Sequence, residues 1–156
     1  MRAVVETASP PPCPRPYSLV ADVLAPAAER PDKIALAVLG LSGAERWSYA
    51  RLEAAVLGTA RGLSEAGLPP GQRVLLRIGN TVDFPLAFLG AVAAGLVPVP
   101  TPAALTAPEA TGIAARLGPA AVLAGDDVSL PDHPAPVIAP ERLRAMRDLP
   151  PLAPLT

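Results

Sequence analysis

The side chains able to do chemistry are few and far apart. The single histidine, His133, lies in Pro131-Asp132-His133-Pro134. With no second histidine and no cysteine nearby it has no partners for a metal site. No serine or cysteine has a base placed beside it by any motif, so His133 reads as a solvated loop residue. The single cysteine, Cys13, sits in Pro10-Pro11-Pro12-Cys13-Pro14, and Arg15 is its only basic neighbour. One cysteine forms no intrachain disulfide, and an extended stretch without a helix start does little to activate a thiol. Asp126-Asp127 follows an apolar run and reads as the turn that ends a strand, since one acidic pair without further oxygen ligands is a poor Mg²⁺ site. Arg142, Arg144 and Arg147 fall on one short predicted helix and read as surface charge. Lys33, the only lysine, precedes a strand-like run far from any of these. Neither G-x-G-x-x-G after a strand nor G-x-x-x-x-G-K-[ST] occurs. The expectation is therefore that these 156 residues hold no catalytic, cofactor-binding or metal-ligating residue.

The elements that would position a site are clearer. Of the residues, 51% are hydrophobic but only 3% aromatic, so Ala, Leu and Val must build the core. A net charge of −1 gives no excess of Lys and Arg for a nucleic-acid footprint. The uncharged stretch between Asp83 and Glu109 is no membrane span. Its longest proline-free window, Leu86 to Val97, holds 12 residues, too short to cross a bilayer as a helix. The N-terminus lacks the apolar run of a secretory signal, so a cytoplasmic protein is expected.

Residues 1–16 are proline-rich and aperiodic, and read as a disordered leader. A helix capped by Ser18 follows, with Leu19, Val20, Val23, Leu24, Ala27 and Ala28 at helical spacing and a kink at Pro26. Ile34 to Leu39 reads as a strand, Gly40 to Glu45 as a turn, and Arg46-Trp47-Ser48 as a short return strand. Ser48 also caps the strongest helix, which buries Leu52, Ala55, Val56, Thr59, Ala60, Leu63 and Ala66 and stops at Gly67. Gln72 to Ile78 is a strand, with Val74, Leu76 and Ile78 on one face and Arg73, Leu75 and Arg77 on the other. Asn80-Thr81 should cap the next helix, with Asp83 in its first turn, running through Phe84, Leu89 and Val92 to Gly95. Leu96 to Val99 is a buried strand whose prolines suggest an edge or an end. Thr106 and Glu109 have capping-box spacing for a helix bearing Ala110, Ile113, Ala114 and Leu117. Ala120 to Ala124 is a further strand, Val137-Ile138 a minor one, and Pro140 to Leu149 a short helix. The alternation from Gln72 onward predicts an α/β fold with a mostly parallel sheet flanked by helices.

In this order the motifs resemble those of the adenylate-forming superfamily, which includes acyl-CoA ligases, peptide-synthetase adenylation domains and luciferases. Arg30-Pro31-Asp32-Lys33-Ile34-Ala35-Leu36 resembles the family's entry segment, and Trp47-Ser48-Tyr49-Ala50-Arg51-Leu52 its "T-Y-x-x-L" junction. Gly67-Leu68-Pro69-Pro70-Gly71-Gln72-Arg73-Val74 is similar to "G-v-x-x-G-D-r-V", with Gln72 in place of the usual Asp. Ile78-Gly79-Asn80-Thr81-Val82-Asp83-Phe84 resembles "l-x-N-s-x-e-f". Ala93-Ala94-Gly95-Leu96-Val97-Pro98-Val99-Pro100 resembles "k-a-G-a-v-x-v-P" without its lysine, and the fit of Ala94 to Pro102 leans toward acyl- or aryl-CoA ligases over peptide-synthetase domains. The resemblance implies that residues 17–148 are a truncated N-terminal part of the ligase domain, with 149–156 a linker. The intact family uses ATP, Mg²⁺ and CoA. Its phosphate loop, ribose-binding aspartate, hinge and C-terminal lysine have no counterpart in this sequence, so no functional residue carries over. Such a piece is expected to be inactive alone, to leave an apolar face uncovered, and to have the remainder of the ligase domain as its partner. The alternatives are half of a split ligase and a non-catalytic interaction module on the same scaffold. A small nucleotide-binding protein is disfavoured, because no phosphate-cradling loop is present.

Overall fold

The computed structural model describes residues 15–41 and 43–152, with positions 9, 12 and 13 ahead of them. Most of the expected leader, and residues 153–156 of the expected linker, lie outside the described residues.

Ser18 accepts the Ala21 N–H on its hydroxyl, which caps α1 (Leu19–Leu24). Pro26 does more than kink this helix. It occupies the first position of a new short helix, α2 (Pro26–Glu29), where a missing N–H costs nothing. Val20, Leu24 and Ala27 face the core, whereas Leu19, Val23 and Ala28 face outward.

Strands β1 (Ile34–Gly40) and β2 (Gly43–Ser48) form an antiparallel hairpin. The return strand begins earlier than its apolar pattern suggested: Val38 pairs with Glu45 and Leu39 with Ala44, so most of the expected turn is ladder. Ser48 ends β2 and caps α3 (Tyr49–Glu65), its hydroxyl accepting the Arg51 N–H at 3.3 Å. Trp47, Leu52, Ala55 and Val56 bury against Val20, Leu24, Val82 and Leu86, a cluster linking hairpin, α1, α3 and the next helix.

The sheet proper holds β3 (Arg73–Arg77), β4 (Val97–Pro100), β5 (Ala121–Ala124) and β6 (Val137–Ile138), all parallel, in the order β4-β3-β5-β6. Between them run α4 (Asp83–Ala93), α5 (Ala107–Leu117) and, after β6, α6 (Pro140–Met146). The two faces of β3 separate as their alternation requires. Val74, Leu76 and Ile78 pack with Ala60, Leu63, Ala87, Ala91, Leu143 and Met146 from α3, α4 and α6. Leu75 packs on the opposite side with Ala114 of α5 and Val122. Each Leu or Val fully buried in this way contributes about 1.5–3 kcal/mol.

Strand β4 is the edge its prolines suggested, and geometry explains their tolerance. Val97 donates its N–H to Gln72 O and Thr101 to Leu76 O, so odd-numbered residues face β3. Pro98 and Pro100 point outward, where no ladder donor is needed, and they deny that edge to another strand. Val97 is 47% exposed, so the strand is less buried than expected.

The expected cap of α4 is overturned. Val82 occupies the cap position with helical dihedrals and makes no side-chain bond; Asn80 and Thr81 provide none. At α5 the cap holds: the Glu109 carboxylate accepts both the backbone N–H and the hydroxyl of Thr106, each at 2.8 Å. Those bonds hold the Glu109 carboxyl below the usual carboxylate range. A lowered folded-state pKa means stability that is present above the ordinary carboxylate value and lost as pH falls through the folded one. Urea midpoints of the parent and Glu109→Gln should therefore differ at neutral pH and converge on acidification; a constant gap would refute this.

Two close approaches set the helix layer. Gly90 of α4 lies on Thr59 of α3, whose hydroxyl is tied to Ala55 O at 2.7 Å. A Cβ at Gly90 would meet Thr59 Cγ2 at 2.6 Å. Gly90→Ala should cost about 1–3 kcal/mol through overpacking. Adding Thr59→Ala should recover part of the loss, and an additive double mutant would sink the explanation. On the neighbouring face, a Cβ at Gly58 would lie 2.8 Å from the carbonyl oxygens of Arg147 and Leu149. The chain after α6 therefore lies directly on α3. Leu149 and Leu152 pack against the main core cluster and the Leu152 N–H donates to Leu57 O, so residues 149–152 are docked rather than a free linker.

Candidate functional site

In open α/β sheets ligands bind beyond the carboxyl ends of strands, where the direction of connection reverses. Here that point lies between β3 and β5, since α4 carries the chain outward from β3 to β4 and α5 carries it back past β3 to β5. The charged residues of interest gather around this end.

Arg77, the last residue of β3, is fully buried. Its Nε donates to Ser129 O at 3.0 Å, Nη1 to Thr101 Oγ1 and Pro102 O, and Nη2 to Ala103 O and Leu105 O. All five N–H groups of a planar guanidinium are thereby used on backbone and hydroxyl oxygens. Burial pushes its pKa down from the ordinary arginine value. The group is a clamp on the loop between β4 and α5, with no donor left for a ligand.

Asp83, in the first turn of α4, is also buried. Its Oδ2 accepts Nε and Nη2 of Arg144 at 3.1 and 3.0 Å, and its Oδ1 accepts Nη1 of Arg147 at 3.1 Å. Arg144 also pairs with Asp126, at the turn after β5, and this bond, followed by those to Asp83, raises its pKa. Arg147 reaches over the Trp47 ring, 5.7 Å from its centroid, while Arg51 stacks on that ring at 3.6 Å. The surface reading of the three arginines is thus corrected. Arg142 is exposed, but Arg144 and Arg147 are one helical turn apart on the face that meets Asp83. Asp126 does belong to a turn ending a strand, and the guanidinium beside it makes it an ion-pair partner rather than a cation ligand.

Two carboxylates and two guanidiniums pair with one another, Asp83 and Arg147 inward and Arg144 and Asp126 at the surface, and the cavity bordered by Thr59, Asp83, Leu86, Ala87, Leu143 and Arg147 measures about 10 Å³. That is room for a single water and far below what a nucleotide requires.

The remaining sequence candidates do not join it. His133 accepts the Ala135 N–H on Nδ1 at 3.1 Å and holds its own turn. Cys13 is exposed, and Lys33 is exposed ahead of β1. Among the described residues no three His, Cys, Asp or Glu side chains gather as a metal site. Nor is any described helix long and apolar enough to cross a membrane. The buried bonding roles of Arg77 and Asp83, whose places on strand and helix the sequence does show, are what sequence reasoning missed. The three-residue spacing of Arg144 and Arg147 was the available signal for a shared acidic partner.

Comparison with known proteins agrees with this fold. The profile described as "AMP-binding enzyme" matches residues 24–150. A long-chain-fatty-acid–CoA ligase of Mycobacterium tuberculosis is 35% identical over 105 residues, covering 67% of this chain and 19% of that enzyme. A 4-hydroxybenzoate–CoA/benzoate–CoA ligase of Rhodopseudomonas palustris is 40% identical over 62 residues, 40% of this chain and 12% of that one. Among solved structures, a benzoate CoA ligase from Burkholderia xenovorans LB400 superposes with a TM-score of 0.71 at 25% identity, over 90% of this chain and 30% of that protein. The N-terminal subdomain of Klebsiella oxytoca NpsA gives 0.75 at 18% identity, over 89% and 35%, a likeness of fold alone. The chain spans about a fifth or less of the length of these curated relatives.

Proposed function

Because the chain belongs to the AMP-binding enzyme family, we propose that it is the N-terminal part of an AMP-forming acyl- or aryl-CoA synthetase, a scaffold for the reaction rather than its catalyst. The observation that carries this reading is the match over residues 24–150, together with coverage of 30% of the benzoate CoA ligase from Burkholderia xenovorans. In the reaction proposed for the whole enzyme, a carboxylate oxygen attacks the α-phosphorus of Mg·ATP and pyrophosphate leaves. A CoA thiol then attacks the acyl carbon and AMP leaves. Charge on the phosphoryl oxygens needs cations and N–H donors held free for it. Arg77, outside the ion-pair cluster, spends its donors on Ser129 O and the β4–α5 loop, while Arg144 and Arg147 are held by Asp83. These groups therefore stiffen the carboxyl edge of the sheet. On this reading the chain is non-catalytic alone, its partner is the remainder of the ligase domain, and its place is the cytoplasm, where ATP and CoA are available.

Exposed apolar side chains support the need for further structure around this fold. Leu39 and Leu41 on the hairpin are 83% and 112% exposed. Val97 and Val137, half-exposed, flank α5 on the two outer strands of the sheet. Purified 156-residue protein incubated with ATP, Mg²⁺, CoA and either benzoate or a long-chain fatty acid should release no pyrophosphate or AMP above a protein-free blank. Turnover by the homogeneous chain would overturn the proposal.

A further inference from the structure

We draw no further inference here: the strongest candidate, the solvent-facing apolar surface of the β1–β2 hairpin around Ile34, Leu39 and Leu41, is an unpartnered face and nothing in the structure shows what covers it.

Discussion

Replacing Arg77 with leucine should lower the unfolding free energy by at least about 3 kcal/mol, a large share of the roughly 5–15 kcal/mol typical of a domain. Five acceptors lose their donor at once: the carbonyls of Pro102, Ala103, Leu105 and Ser129 and the hydroxyl of Thr101. Each group left buried and unsatisfied costs about 1–3 kcal/mol. The total stays below their sum because the loop can swing into water, and because leucine removes the cost of burying a charge. The loop's departure gives a local signature. Thr101 donates its N–H to Leu76 O at 3.3 Å, so its amide exchange should accelerate more than that of Val122 on the far side of β3. Arg77→Lys should recover less than half of the loss, since an ammonium offers three donors at one point instead of a planar fork of five. Urea unfolding followed by Trp47, the only tryptophan, measures this from a separate packing cluster. A leucine variant within 1 kcal/mol of the parent, or full rescue by lysine, would remove the clamp from the account.

That the sequence does not reveal the burial of Arg77 has a physical cause. Period-two alternation correctly divided β3 into the face of Val74, Leu76 and Ile78 and the face of Leu75, because burial follows the pleat. Alternation says nothing about how a charge on the second face is solvated. The partners of Arg77 lie 24 to 52 residues further along the chain, and nearly all are backbone carbonyls, which any residue type supplies. Local signals fared well where the physics is local. Ser48 and Ser18 cap helices three residues away, and Glu109 reaches back three residues to Thr106. The cap assigned to Asn80 and Thr81 failed for the opposite reason. Asp83, the first residue of α4, pairs with arginines 61 and 64 residues later, partners that no local pattern reveals. The family motifs at Trp47–Leu52, Gly67–Val74 and Ala93–Pro100 were legible because they are turns and packing positions of contiguous chain.

Asp83→Asn should be the second most damaging change, by about 2–3 kcal/mol. Asparagine keeps the shape and an acceptor oxygen but leaves two guanidiniums without their shared countercharge. Breaking a fully buried pair costs about 3–5 kcal/mol. The value here is lower because the Arg144 side chain is 36% exposed and retains Asp126, whereas Arg147 is 21% exposed and loses its charged partner. The loss should concentrate on α6 and the docked segment behind it. With Asp83 neutral, α6 and this strap keep the apolar contacts of Leu143, Met146, Leu149 and Leu152, the bond from Leu152 to Leu57 O and the Arg144–Asp126 pair, but lose their charged tie to α4. Trp47 emission should shift at urea concentrations below the global transition, because Arg147 lies over its ring. Screening by added salt should matter little for the Asp83–Arg147 pair and more for Arg144 with Asp126, which face water. A double-mutant cycle of Asp83→Asn with Arg147→Gln isolates the pair, and its coupling should reach about 1 kcal/mol or more. Coupling below about 0.3 kcal/mol would mean that the Asp83–Arg147 pair does not hold the strap, and that packing and the remaining bonds do.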